Sequence, residues 1–550
     1  MKASRLSLVT LLCALVGLAA AQPEINSTFA LAQAITTGGS YRVAAGSYFI
    51  HRSLVVANDL ELIGAGAGET VLMVTNEALG LRIDGAEVRL QDLSLGFAAQ
   101  RPGDLIHLGG GNLELVGVLL NGTRTDDDPS GFKRFGLGSG VHAWGDARVT
   151  ARDSVFRGHG LAVFELSGQA VVSLENSTLE SNSVGLYAEQ QSSVAVAGSR
   201  FDLNRSGALI LVDDAVAEIR GSDFTANGAA DENSGEEADG FRFGGRSRAL
   251  LEQNRIVDHP RFAISMWDEA RLEMRGNHLE GNGGEYQVLD VYAAAVLLED
   301  DAVLTMDGDV LVRNPGGALE LADNAAAVLE GVRLENNGSW AHLYAAGDSE
   351  LTLLSTTVVD NEGNLFIGSR ARLRVEESEI RGSGFDAVIL ADEATGYFEN
   401  NVFRANDTIA LALTDAATAT LVDNLFEANG SGAVMWDQSR ALLEANRFLG
   451  HQRTGFAFFD ESGGEARGNL VHGNLWNGVL VGDSASALLV DNDLVGNVNV
   501  GIGFSEQAVG RASGNRIAGS EVGILITESA GPELFDNVFE DNVEDVARRP

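Results

Sequence analysis

Three consecutive stretches of the chain repeat one hydrophobic–polar pattern. Residues 419–440 read ATLVDNLFEANGSGAVMWDQSR, 441–463 read ALLEANRFLGHQRTGFAFFDESG and 464–486 read GEARGNLVHGNLWNGVLVGDSAS. Each has an Asn, an apolar residue two positions later, a polar turn, a Gly, alternating apolar residues and an acidic stop. The Asn recurs as Asn401, Asn424, Asn446, Asn469, Asn492, Asn515 and Asn537, at steps of 22 or 23 residues. With drift, the series runs back through Ser378, Thr356, Val332, Asp309, Asn277, Asn254, Ser222, Ser199, Ser177, Ser154, Gly117, Asp92 and Gly64. That makes about twenty units, and self-similarity at such a period marks a solenoid.

Alternation with period two over short segments predicts strands, since a helical repeat would place apolar residues three and four apart. Three short strands fit one unit. Coils stacked at about 4.8 Å then give a rod on the order of 95 Å long. Phe403, Phe426, Phe448 and Ile517 are expected to stack inside it. The Asn column would hydrogen-bond along itself and satisfy turn amides. Gly432, Gly455, Gly478, Gly501 and Gly523 are expected to relieve the bend before a strand.

A solenoid needs its ends covered. Residues 22–40 are expected to form the N-terminal cap. Within them STFALAQAIT, residues 27–36, predicts a short helix capped by Ser27 or Thr28, with Phe29, Leu31 and Ile35 on one face. Residues 41–550 are the solenoid, and no C-terminal cap is recognisable. The fold class is all-β: a single β-solenoid of about twenty coils with one short N-terminal helix.

Composition narrows the function. The chain has 550 residues, 78 acidic against 38 basic, and a formal net charge of −40. This balance argues against nucleic acid and anionic membrane surfaces, which need basic patches. Residues 1–21 read as a signal peptide: Lys2 and Arg5, an apolar run, then Ala19-Ala20-Ala21. The expected location is therefore secreted, periplasmic or at the cell surface. The single cysteine, Cys13, lies in that segment, which excludes disulfides from the rest of the chain. No later run of about 18 apolar residues predicts a transmembrane segment.

The 22–23-residue coil, the Asn column and the entry segment 38–72, GGSYRVAAGSYFIHRSLVVANDLELIGAGAGETVL, together resemble the right-handed parallel β-helix, pectate-lyase-like superfamily. The resemblance spans roughly residues 25–545. It implies a right-handed coil and an expectation of polysaccharide or cell-envelope glycan as partner, by binding or by lyase or hydrolase chemistry. It is specific for fold and unspecific for activity.

Three anchor-to-strand connections are longer than the rest: Gly117–Gly140, Ser222–Gly240 and Asn277–Ala295. All leave the same turn, so they flank one face between residues 124 and 292, where function on a rigid scaffold concentrates. Outward positions after these loops carry Trp144, Phe164, Tyr187 and Trp267 as candidate sugar-stacking residues. A lyase must neutralise a uronate and move the adjacent proton. Lys133, Arg134, Arg242 and Arg261 are the candidates for the first task, and His142 or Tyr286 for the second.

Asp126, Asp127 and Asp128 could hold Ca²⁺, the one cofactor considered. So could Asp213 and Asp268, which begin an acidic column running on through Asp392, Asp415, Asp437, Asp460 and Asp483. The competing expectation for that column is a solvated turn. Gly158-His159-Gly160 looks like a polygalacturonase motif, but it sits in an ordinary repeat turn without the following Arg-x-Lys. No zinc-type spacing of Cys and His is present. The alternative function is a non-catalytic surface or envelope scaffold, an adhesin-like spacer. The enzyme question stays open at this point.

Overall fold

One coil of the computed structural model explains most of the rest. Thr418–Val422 forms a strand, Leu425–Glu427 a second and Ser431–Met435 a third, after which the chain enters the next coil at Arg440–Glu444. Each strand pairs in parallel with its counterpart one coil on, for example Phe403↔Phe426↔Phe448 in the second position. The structure describes residues 22–75, 79–98, 103–122, 138–228, 238–286, 291–527 and 529–550. Over these residues three parallel sheets, the first of 22 strands, run the length of a β-helix. The expected signal peptide, residues 1–21, lies outside the described residues.

The three corners between sheets each carry a hydrogen-bonded column. At the first corner Asn401 N–H donates to Asn424 Oδ1 at 3.0 Å, and the Asn401 amide donates to the same oxygen at 2.9 Å and to the Val375 carbonyl at 2.8 Å. Asn424 repeats this on Asn446 and Phe398. Ser154, Ser177 and Ser199 continue the column, each backbone N–H donating to the next serine Oγ. The anchor column therefore exists as expected, with a one-residue slip in its first coils. Val118, not Gly117, takes the Ser154 bond, and Gly117 has the left-handed φ of 60° that precedes each anchor.

A second column, five residues further on, is as continuous. Asn204, Asn227, Asn406, Asn429, Asn474 and Asn497 belong to it, together with buried His159, His259 and His451. His159 donates its backbone N–H to Asn182 at 3.0 Å, and burial pushes its ring down to about 4. Its glycine-flanked motif is thus a corner, as its place in the repeat predicts. The third corner is the acidic column. Asp437 N–H donates to Asp460 Oδ2 at 3.2 Å and Asp460 N–H to Asp483 Oδ2 at 3.1 Å. Asp437, Asp460 and Asp483 all have φ of 53–54°, a left-handed turn that Asp tolerates better than most residues.

The core is one contiguous column. Phe403, Phe426 and Phe448 are fully buried and stacked, with centroids 4.6 and 4.8 Å apart. Each such ring pair adds about 0.5–1.5 kcal/mol beyond burial. The glycines act differently from the expectation. Gly432, Gly455, Gly478 and Gly501 lie inside third-sheet strands without positive φ. A Cβ at Gly455 would stand 2.6 Å from the Gly478 carbonyl and 2.8 Å from Val471, so these glycines permit close stacking of coils instead of a bend.

At the N-terminal end a helix, Thr28–Thr37, sits over the first coils. Ser27 Oγ accepts from Ala30 N–H at 3.3 Å as its N-cap. Leu31, Ala34 and Ile35 are buried, whereas Phe29 is 80% exposed and does not share their face. Its side chain is one residue out of the i, i+3, i+4 stripe that Leu31, Ala34 and Ile35 make.

Asp309 replaces Asn in the first corner and accepts from Asn277 N–H at 2.6 Å and from the Asn277 amide at 2.8 Å. Burial raises its pKa to about 6, against the lowering effect of those bonds. Below the unfolded value both states hold the proton. Between about 4 and 6 only the folded state does, so stability falls as pH rises through that window. Measured against Asp309→Asn, the unfolding free energy of the natural protein should drop from pH 4 to pH 7 by on the order of 3 kcal/mol. A difference flat across the window contradicts this. Asn424→Ala orphans the Asn401 donors and should cost roughly 3 kcal/mol in urea unfolding; a cost below about 1 kcal/mol would show that water replaces the ladder.

Candidate functional site

Strand pairing on the third sheet sets the outward face. Along one column His107 pairs with His142, His142 with Glu165, Glu165 with Tyr187, Tyr187 with Ile210, Ile210 with Arg242 and Arg242 with Ser265. A neighbouring column holds Gly109 and Trp144 and, further along, Gly244 and Trp267. Residues 123–137, 229–237 and 287–290 are outside the described residues. Lys133, Arg134, Asp126, Asp127 and Asp128 fall in the first of them, outside the described residues.

His142 stands where the sequence puts it, on the outward face, and two unanticipated residues join it. Asp104 and His107 lie on Asp104–Gly109, one coil earlier. In an ideal strand, residues three apart face opposite sides. Here Leu105 and Ile106 are both buried, and this irregularity brings Asp104 back to the face of His107.

His107 Nε2 lies 2.5 Å from Asp104 Oδ2, and His142 Nδ1 is 3.8 Å from the same oxygen, an ion-pair distance. Ser139 N–H donates to Asp104 Oδ1 at 2.6 Å, and Ser139 Oγ donates to Glu165 at 2.6 Å. Burial opposes ionisation of Asp104, but His107, His142 and the Ser139 amide outweigh it and hold the carboxyl well below the usual range. The Asp104 carboxylate in turn raises the pKa of His142, against the effect of burial. Among the described residues, Asp104, His107 and His142 are the one group of three such side chains whose ligand atoms lie within 4.8 Å of one another.

Trp144 packs edge-on to both imidazoles, at 5.5 and 5.2 Å. Its indole lies over Gly109, where a Cβ would come within 2.9 Å of the ring. Trp267 lies over Gly244 in the same way, and the Arg242 guanidinium is 5.8 Å from its ring centre. Glycine on the adjacent coil thus leaves room for each indole to approach the sheet backbone closely. Between these ends, beyond Glu165, Ala162, Val184 and Ile210 form an apolar patch beside Tyr187 and Val212. Tyr187 donates to Glu189 at 3.1 Å; burial first, then the Glu189 charge, pushes its pKa up to about 12, so it remains a donor at neutral pH.

At the far end Arg261 meets Asp239 at 3.4 Å, both well buried, and Ser265 Oγ donates to Asp239 at 2.8 Å. His142 and Arg242 are four coil steps apart, roughly 19 Å. Of the expected catalytic residues, His142 therefore stands at one end of the face and Arg242 and Arg261 at the other. Tyr286 ends a strand, Gly284–Tyr286, that pairs antiparallel with Val291–Ala293 beside the sheet.

Phe164 departs from the expectation. It pairs with Val141, is fully buried and packs against Phe156 at 4.9 Å. Equating it with Trp144 reads its strand three residues out of register, an odd number that moves it to the wrong face, because side chains alternate with period two. Asp213 and Asp268 belong to the third corner, where Asp213 accepts from Gln190 N–H at 3.1 Å and Asp268 from Gly245 N–H at 2.9 Å. They line a groove of about 560 Å³ with Asp214, Arg246 and Glu269, and neither is part of the three-residue cluster above.

Asp104, His107, Ser139 and Glu165 were the residues missed in the sequence. The signal was present: DLIHLGG and SGVHAWGD align His on His and Gly109 on Trp144 once the long connection between them is set aside.

No curated relative matches the chain. Among solved structures it resembles the alginate lyase AlyGC at 10% identity, covering 94% of this chain and 99% of that one with a TM-score of 0.34. It resembles the periplasmic alginate epimerase AlgG at 8% identity, covering 72% and 78% with a TM-score of 0.25. An alginate lyase from Paenibacillus matches at 13% identity over 59% of this chain and 98% of that one, with a TM-score of 0.33. Among the described residues no helix is long and apolar enough to cross a membrane. The family model for the right handed beta helix region matches residues 139–288 and 364–510, more than half of the chain. With three parallel sheets wound through the coils, the chain belongs to the right-handed β-helix family.

Proposed function

We propose that this protein is an exported polysaccharide-binding β-helix that holds its ligand along the outward face of the third sheet, from Asp104 to Trp267. The observation that carries the reading is the pair of outward indoles, Trp144 and Trp267, each packed closely over a glycine of the adjacent coil. They lie five coil steps apart, roughly 24 Å. Indoles held in place on a rigid sheet are stacking platforms for sugar rings, and the apolar patch around Ile210 gives part of the stretch between them a matching surface.

The polar ends suit hydroxyl and carboxylate groups. Asp104, His107 and His142 offer acceptors and imidazole donors at one end; Arg242 and Arg261 offer guanidinium groups at the other. The Tyr187 hydroxyl, which donates to Glu189, offers an acceptor in the middle. Calcium at the acidic corner is not needed for this reading, since those carboxylates already accept backbone N–H bonds. Residues 1–21 would deliver the protein outside the cytoplasm, where such polymers are found.

A scaffold role remains the second reading for the C-terminal coils alone. There the outward column runs Ile389, Ala412, Val434, Ala457, Leu480, Gly503 and Leu525, without a polar cluster. These coils extend the rod and contribute no groups to the site.

Affinity electrophoresis through gels containing acidic and neutral polysaccharides tests the binding. Trp144→Ala and Trp267→Ala should each weaken retention by about tenfold, the loss expected for about 1.4 kcal/mol of stacking. Gly244→Ala keeps the indole but forces it off the sheet, and should weaken retention as Trp267→Ala does. Unchanged retention in all three variants overturns the reading. Rising ultraviolet absorbance from unsaturated uronates, or new reducing ends, would add lyase or hydrolase chemistry to the same face.

A further inference from the structure

We propose that Asp104, His107 and His142 form a site for a divalent transition metal, with zinc as the best match. The donor set is two imidazole nitrogens and one carboxylate oxygen. Calcium and magnesium favour cages of oxygen alone, whereas zinc takes mixed nitrogen and oxygen ligands. Three protein ligands with a fourth position left open is the arrangement of reactive zinc sites, and two His with one carboxylate also suits iron(II).

The geometry is close to what such an ion requires. Ligands about 2.0–2.2 Å from a tetrahedral ion lie roughly 3.3–3.6 Å apart. Here the His107–Asp104 and His142–Asp104 separations are 2.5 and 3.8 Å, and all three ligand atoms fall within 4.8 Å of one another. An entering ion replaces the His107–Asp104 hydrogen bond, and small side-chain rotations equalise the distances.

The supporting shell is already built. Ser139 N–H holds Asp104 Oδ1 at 2.6 Å and leaves Oδ2 facing the two rings. Such outer bonds orient ligands and tune affinity. The three ligands stand on two directly paired strands, with His107 opposite His142, so coil stacking itself fixes their spacing. The side chains are 30%, 20% and 32% exposed for His107, Asp104 and His142, which admits an ion and leaves its outer position open to solvent or a ligand. This inference stands on ligand geometry and does not depend on the polysaccharide reading.

The test uses untagged full-length protein, stripped with a chelator and dialysed. Cobalt(II) and zinc are titrated separately, following cobalt d–d absorbance and zinc competition with a chromophoric chelator. One equivalent should bind, zinc should displace cobalt, and calcium at the same concentration should not. Asp104→Asn, His107→Gln and His142→Gln should each weaken binding by at least tenfold while thermal unfolding stays cooperative. Trp267→Ala should leave metal uptake unchanged even if it abolishes glycan retention, which separates the two readings. Absence of stoichiometric uptake, or uptake that survives the His107→Gln/His142→Gln double substitution, overturns the site. Equal displacement by calcium would do the same.

Discussion

The structure depends on how a chain that turns three times in every coil satisfies the backbone N–H groups at its corners. Within strands the sheet ladder takes them. At the first two corners the backbone leaves the sheet, often through a left-handed residue such as Asp423 or Ala428, and the next N–H would be buried without a partner. Side chains of the following coil accept it: Asn446 for Asn424 and His451 for Asn429. At the third corner the exposed N–H of the left-handed residue itself is taken up in the same way, as Asp437 donates to Asp460. An orphaned buried donor costs about 1–3 kcal/mol. With two buried corners in most coils, the stack depends on these columns. The sequence period is therefore a hydrogen-bonding period before it is a hydrophobic one.

This constraint divides the molecule into what must repeat and what is free to vary. Inward positions and corners are committed: Phe426 to the ring stack, Asn424 and Asn429 to their ladders. Outward positions of the sheets carry no such duty, and the third sheet uses them unevenly. From His107 to Ser265 its outward column changes character at nearly every step, from imidazole to carboxylate, phenol, aliphatic and guanidinium. From Ile389 onward the same column is almost wholly aliphatic. The long connections also occur at the corner that borders the varied half. Chemistry has been added where the scaffold places no demand.

Periodicity made the fold legible, and register limited the site. Counting from Asn to Asn locates the coil, the strands and the phenylalanine stack without any structural knowledge. The outward face needs single-residue accuracy, because each strand alternates. Phe164 is expected outward beside Trp144, yet it pairs with the inward Val141. Asp104 escaped because residues three apart in a strand should oppose each other, and only the pair of buried residues Leu105 and Ile106 brings it round. The second column of Asn and His was visible as spacing, yet its role needs the knowledge that the N–H of one coil meets the side chain of the next. The helix at Thr28–Thr37 was legible from its cap and stripe, except for Phe29, which the stripe leaves outside.

Proximity alone carries little information in such a rod. Any two residues in one outward column stand about 5 Å apart because coils do. A row of Asp residues at the third corner therefore indicates neither a cation nor an acid–base pair, and each carboxylate there has a backbone N–H to explain it. What distinguishes the cluster at Asp104 is that it breaks the column rule. Its carboxylate comes from a neighbouring column, is anchored by a backbone amide at one oxygen and faces two imidazoles with the other. No corner amide requires that arrangement, and the repeat does not generate it elsewhere among the described residues. The indoles of Trp144 and Trp267 each pack over a glycine of the adjacent coil, as Phe459 does over Gly482 in the C-terminal coils, so that pairing alone does not mark the face. In a repeat protein the informative residues are those whose geometry the repeat leaves unexplained, and Asp104, His107 and His142 are such a group.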